Sequence, residues 1–146
     1  MRNLLSFAIA VLLQIGISFA QGSETFFNIG AAATSYGPQT WTGDNGLLWN
    51  AVNGRTDQAL TGKAMTIRDA GGNITCNAIP GGCGTLTFNY VRAFTTGSPV
   101  VQLYINGSPY GSTFTSTSAT LQNTGAIAVN AAAPFNLEIR QTAAGA

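Results

Sequence analysis

The chain has 146 residues, with 6 Lys+Arg, 5 Asp+Glu and no His. Only 8% of it is charged while 45% is hydrophobic, the balance of one folded domain and not of a disordered tail. The lack of histidine excludes His-dependent triads, His general bases and His metal ligands, and a formal net charge of +1 gives no basis for binding nucleic acid by neutralising phosphates.

Arg2 precedes an apolar run from Leu4 to Phe19 that closes on Ser18-Phe19-Ala20, small at the two positions a signal peptidase reads. Residues 1–20 are therefore expected to be a secretory signal peptide cut before Gln21, leaving residues 21–146 as one secreted or cell-surface domain without a membrane anchor. Ser6, Gln14, Gly16 and Ser18 interrupt the run, which also falls short of the ~20 apolar residues needed to span a bilayer. Losing Arg2 leaves five basic side chains against five acidic ones.

Beyond Gln21 the apolar residues recur with period two, punctuated by Gly, Asn, Pro and Ser, which predicts strands and not helices. A first short strand is expected over Thr25 to Ile29, and a second over Leu47 to Val52 with Trp49 buried. Lys63 to Arg68 places Met65 and Ile67 on one face. Leu86, Phe88 and Tyr90 alternate with Thr87, Asn89 and Val91 in a run that continues to Phe94. Val100 to Ile105 ends in Asn106-Gly107, a pair that tolerates positive φ at both positions and so favours a tight hairpin turn. Ala126 to Val129 and Phe135 to Thr142 follow, the latter with Phe135, Leu137 and Ile139 inward. About eight short strands at this spacing predict an all-β fold, an antiparallel β-sandwich or jelly roll.

In an exporting chain Cys76 and Cys83, separated by Asn77-Ala78-Ile79-Pro80-Gly81-Gly82, are expected to close a small loop with a disulfide. No histidine completes a zinc set, and six intervening residues do not make a redox Cys-x-x-Cys pair. Thr61-Gly62-Lys63 lacks the following Ser/Thr and the glycine spacing of a phosphate loop. No serine has glycine two residues away on both sides, so the nucleophile-elbow pattern is missing. Nothing pairs any two of Glu24, Asp44, Asp57, Asp69 and Glu138 as hydrolase acids, and no enzyme is expected. Asp44 and Asn45, in Trp41-Thr42-Gly43-Asp44-Asn45-Gly46, are candidate oxygen ligands for calcium, against the plainer reading of an ordinary turn. Some of Arg55, Asp57, Lys63, Arg68 and Asp69 are expected to form a fixed ion pair at the sheet's end, against the alternative of polar contacts to a sugar.

The order Glu24-Thr25-Phe26, Trp41-Thr42-Gly43-Asp44-Asn45-Gly46, Trp49-Asn50, Arg55-Thr56-Asp57, Gly62-Lys63-Ala64-Met65-Thr66-Ile67-Arg68, Gly81-Gly82 and Leu103-Tyr104-Ile105-Asn106-Gly107 resembles a jelly-roll module of secreted Bacteroidota-type proteins. Such modules stand beside extracellular nuclease, lamin-tail and surface-sorting domains and look like carbohydrate-binding modules in fold. The resemblance covers nearly all of residues 24 to 142 and implies a non-catalytic accessory module of a larger secreted protein. The family continues past Glu138-Ile139-Arg140 into one more strand, so the chain is expected to lack its last strand. Two functions follow. In one, Tyr36, Trp41, Tyr104 and Tyr110 stack on sugar faces of a polysaccharide or cell-surface glycan. In the other, the domain is a structural spacer among the remaining domains of its parent, and its aromatics are core or isolated surface residues.

Overall fold

The computed structural model describes residues 22–143, and none of them is helical. The expected signal peptide at residues 1–20 lies outside the described residues. Residues 22–36 form an irregular arm instead of the strand expected over Thr25 to Ile29. The physical reason is local: the N–H groups of Thr25 and Phe26 donate to the carboxylates of Asp44 (2.8 Å) and Glu24 (2.9 Å), and are thus spent before a ladder could use them. Phe26 takes φ 60°, the chain turns, and Ile29 drops into the core at 2% exposure.

Strand β1 (Gly37–Thr42) pairs antiparallel with β2 (Leu48–Arg55), followed by β3 (Thr66–Ile67), β4 (Asn73–Ile79), β5 (Cys83–Leu86) and β6 (Asn89–Tyr90). Then come β7 (Val100–Ile105), β8 (Ser108–Thr115), β9 (Gln122–Asn123), β10 (Ile127–Ala131) and β11 (Phe135–Gln141). The larger sheet has the order β1-β2-β4-β11-β7-β8, with β3 on β2, and every pairing in it is antiparallel. Two further pairs, β10-β5 and β6-β9, make up the remaining sheets.

Register and pleat together decide the inner face, because residues opposite one another across a ladder point the same way. One row runs Trp41, Trp49, Cys76, Leu137, Ile105 across five strands, and the next runs Ala51, Ile74, Ile139, Leu103, Tyr110. Most of these side chains are buried, Leu103 and Cys76 completely. Cys83, Leu86, Ile127, Val129 and Ala131 of the β5-β10 pair belong to the same apolar cluster, so two layers enclose one core. The domain is an all-β, antiparallel β-sandwich.

The β7–β8 hairpin turns on Asn106 (φ 51°) and Gly107 (φ 80°), as the Asn-Gly pair predicts. The run expected from Leu86 to Phe94 is broken: β5 ends at Leu86, pairs with β10, and β6 pairs with β9 in another sheet. Cys76 also departs from the sequence reading. It lies in the middle of β4 and not at the mouth of a loop, with only Pro80–Gly82 turning the chain into β5. Both cysteines are thiols in this structure. Burial pushes the Cys76 thiol up to about 11 and raises that of Cys83 as well.

Candidate functional site

The second layer covers the inner face of the large sheet unevenly. At one end the β5–β10 pair shares one apolar cluster with Cys76, Leu103 and Leu137, and the Tyr110 hydroxyl donates across to the Ala128 carbonyl of β10. At the other end the two-residue strands β6 and β9 stand off the sheet, leaving a cavity of about 340 Å³, near the lower end of the roughly 300–1,000 Å³ typical of ligand sites. Ile74, Val101, Ile139 and Gln141 form its floor on the large sheet, and Met65 and Ile67 close one side from the β2–β4 connection. Phe88, Tyr90 and Phe94 form the facing wall. Phe88 and Tyr90 are held by Phe114, whose ring centroid is 5.3 Å from Phe88 in an edge-on contact and 6.0 Å from Tyr90.

The polar groups at this cavity are unusual in sign. Arg68 and Arg92 line it, with Tyr36, Gln58, Asn89 and Ser116, and no carboxylate does. Arg68 lies over Tyr36 at 4.2 Å from the ring centroid, while Arg55 is sandwiched between Tyr36 at 5.2 Å and Phe94 at 5.0 Å. Arg55 is fixed by a two-pronged bond to Asp57 (2.6 and 2.5 Å), and Arg68 meets Asp69 at 3.2 Å. The Arg55–Asp57 clamp is the fixed ion pair expected from the sequence, whereas both side chains of the Arg68–Asp69 pair are more than half exposed. Arg92 is different: Nη1 donates to the Gly97 carbonyl at 3.0 Å, but its buried Nε has no acceptor. Among the described residues it is the one arginine without a carboxylate partner.

No protein-family model, curated protein or solved structure matches the chain. The site therefore stands on its own geometry.

Of the four aromatic residues expected to stack on sugars, Trp41 is 4% exposed and lies against Trp49 at 6.0 Å with nearly parallel rings, so it is a core residue and offers no face to a ligand. Tyr104 is half-buried on the outer face, where Arg140, tied to Glu138 at 2.7 Å, sits 4.2 Å over its ring. Tyr110 points inward and its hydroxyl donates to the Ala128 carbonyl at 2.6 Å, joining β8 to β10. Only Tyr36 reaches the cavity. The four do not form a row.

Asp44 and Asn45 serve the turn and the arm. Asp44 accepts from Thr25 N–H at 2.8 Å, and Asn45 Oδ1 accepts from Leu47 N–H at 3.2 Å in a side-chain-closed turn. Glu24 completes the clasp from the other side: its carboxylate accepts from Phe26 N–H, Asp44 N–H (3.1 Å) and Trp41 Nε1–H (3.3 Å). Among the described residues no three His, Cys, Asp or Glu side chains converge as a metal set, and the calcium reading gains no support from the arrangement.

The cavity residues Phe88, Tyr90 and Arg92 were legible only as strand pattern. One signal in the sequence does single out Arg92: Arg55, Arg68 and Arg140 each have an acid within two residues, and Arg92 has none.

Proposed function

We propose that this domain is a non-catalytic binding module that takes a small, largely apolar ligand into the cavity between the large sheet and the β6–β9 pair. The cavity itself carries this reading, since a sandwich of this size closes its core at one end and leaves about 340 Å³ lined by Met65, Ile67, Ile74, Phe88, Tyr90 and Ile139 at the other. The absence of catalysis rests on how the acids are used: Asp57, Asp69 and Glu138 are paired with arginines, and Glu24 and Asp44 accept backbone N–H groups. The family resemblance supports the wider setting, an accessory jelly-roll module of a larger secreted protein with residues 1–20 removed on export. In that setting Cys76 and Cys83, thiols in this structure, would be joined after export. No helix among the described residues is long and apolar enough to cross a membrane.

Titration of the protein with the neutral fluorophore N-phenyl-1-naphthylamine tests the reading. One saturable site per chain is expected, lost in Ala93→Trp, which fills the cavity from its wall, with the melting temperature of the variant preserved. No saturable enhancement in the parent protein would remove the cavity as a binding site.

A structural spacer is the second reading, favoured by the burial of both Trp41 (4% exposed) and Trp49 (8%). Stacking of glycans on Tyr104 would require Arg140 to swing off the ring. Glycan-array binding that persists in Ala93→Trp and vanishes in Tyr104→Ala would restore that function.

A further inference from the structure

We infer that the ligand of this cavity carries a single anionic head, a carboxylate on an apolar body, and that Arg92 receives it. The inference rests on the proposed cavity site and adds its chemistry. Three observations point to this class. The walls and floor are aliphatic and aromatic, so they would take a hydrocarbon or aryl body. Both charged residues of the lining, Arg68 and Arg92, are cationic, and no acid lines it. Arg92, which lines the cavity, is alone among the described arginines in lacking a carboxylate partner.

A partly buried cation without a carboxylate partner beside an apolar cavity leaves a positive field that a cationic ligand would meet unfavourably and an anionic one favourably. The guanidinium is already half oriented. Its Nη1 is bonded to the Gly97 carbonyl and its own backbone N–H donates to the Ser118 carbonyl at 3.1 Å, so little freedom is left to lose when a carboxylate binds. Arg68 stacks on Tyr36 at the same cavity, adding positive potential although it keeps Asp69 as its own partner. The expected ligands are thus small alkyl or aryl acids. Neutral lipids and polyhydroxylated sugars do not fit the combination of apolar lining and unpaired cation.

A matched pair of dyes separates this inference from the reading beneath it. 1-Anilinonaphthalene-8-sulfonate is N-phenyl-1-naphthylamine with an anionic group added, so their affinities for the same protein differ by the head alone. The sulfonate is expected to bind about tenfold or more tightly than the neutral dye, and octanoate is expected to displace it at lower concentration than 1-octanol. Arg92→Met, which keeps the apolar stem, should reduce the sulfonate to the affinity of the neutral dye and leave the neutral dye unchanged. Arg140→Met, on the far face of the sheet, should alter neither. Equal binding of the two dyes to the parent protein would overturn the anionic preference while leaving the cavity site in place. Failure of both dyes to bind would overturn the cavity site itself. Should Arg92→Met not fold, Arg92→Gln takes its place: loss of the preference with the neutral dye unchanged supports Arg92 as the receptor, and retention of the preference rejects it. An undiminished sulfonate affinity in a folded Arg92→Met would reject Arg92 as the receptor.

Discussion

Glu24 is the residue on which the arm depends, and its removal should be costly for a side chain outside any strand. Its carboxylate accepts from Phe26 N–H (2.9 Å), Asp44 N–H (3.1 Å) and Trp41 Nε1–H (3.3 Å). In Glu24→Ala the indole N–H of Trp41, a residue only 4% exposed, loses its acceptor and cannot be rehydrated without opening the arm. That stranded donor should cost about 1–3 kcal/mol, and the two backbone donors, nearer to water, under about 1 kcal/mol together. For a domain of this size, at roughly 3–4 °C per kcal/mol, the sum corresponds to a fall in melting temperature of about 3–16 °C. Phe26, whose ring lies 5.7 Å from Trp41, would loosen with the arm, so tryptophan emission should shift to the red below the melt. Asp44→Ala removes an exposed bond to Thr25 and should cost less than about 1 kcal/mol. Differential scanning fluorimetry of the two variants beside the parent checks this. A Glu24→Ala protein that melts with the parent would show that the arm is not held by this carboxylate.

Leu103, fully buried, should cost about 2–5 kcal/mol as Leu103→Ala, whereas Phe88→Ala at the cavity wall should cost less and enlarge the cavity; denaturant melts of both rank them. The two-pronged bond to Arg55 holds the Asp57 carboxyl at about 2, down from 3.8. Because the folded value is the lower one, the clamp stabilises the fold above about pH 4 and its contribution is lost as pH falls through about 2, so Asp57→Asn should show a shallower loss of melting temperature across that window. A limb parallel to the parent's would show that the clamp adds nothing. With its thiol raised to about 11 and fully enclosed, Cys76 should resist iodoacetamide at pH 8 in the reduced native protein and react only on unfolding; mass spectrometry of the alkylated chain measures it.

Where one residue pattern determined one outcome, the sequence was readable. Phe135, Leu137 and Ile139 alternate inward in β11 because a strand flanked by β4 and β7 has one core face and one outer face. Asn106-Gly107 turned as expected because few residues other than Asn and Gly accept φ of 51° and 80° in succession. The failures have equally local causes. Thr25 to Ile29 has the composition of a strand, but its N–H groups go to Glu24 and Asp44, and the second acid is 19 residues from Thr25. Cys76 sits in a strand because Asn73–Ile79 pairs with both β2 and β11, while its Asn and Thr content reads as loop. Long-range pairing of this kind overrides local propensity and leaves no local mark.

The site was less legible than the fold because aromatic composition alone does not say which rings are spent. Trp41 is taken by the core and by Glu24, Tyr110 by the Ala128 carbonyl, and Tyr104 by Arg140. What remains open is decided by layer length: β6 and β9 pair over only two residues each, too few to cover Ile74, Val101 and Ile139 beneath them. A short covering pair over a long sheet must either collapse onto the floor or be propped, and here Phe114 props it by packing edge-on against Phe88. The prop leaves the aliphatic floor facing a space that an apolar body would fill, and the arginine at its wall lacks a carboxylate. Stability alone would favour a closed wall and a paired cation, as Arg55 is paired with Asp57 beside the same cavity. Both departures fall at one place, and the proposed binding role rests on that coincidence.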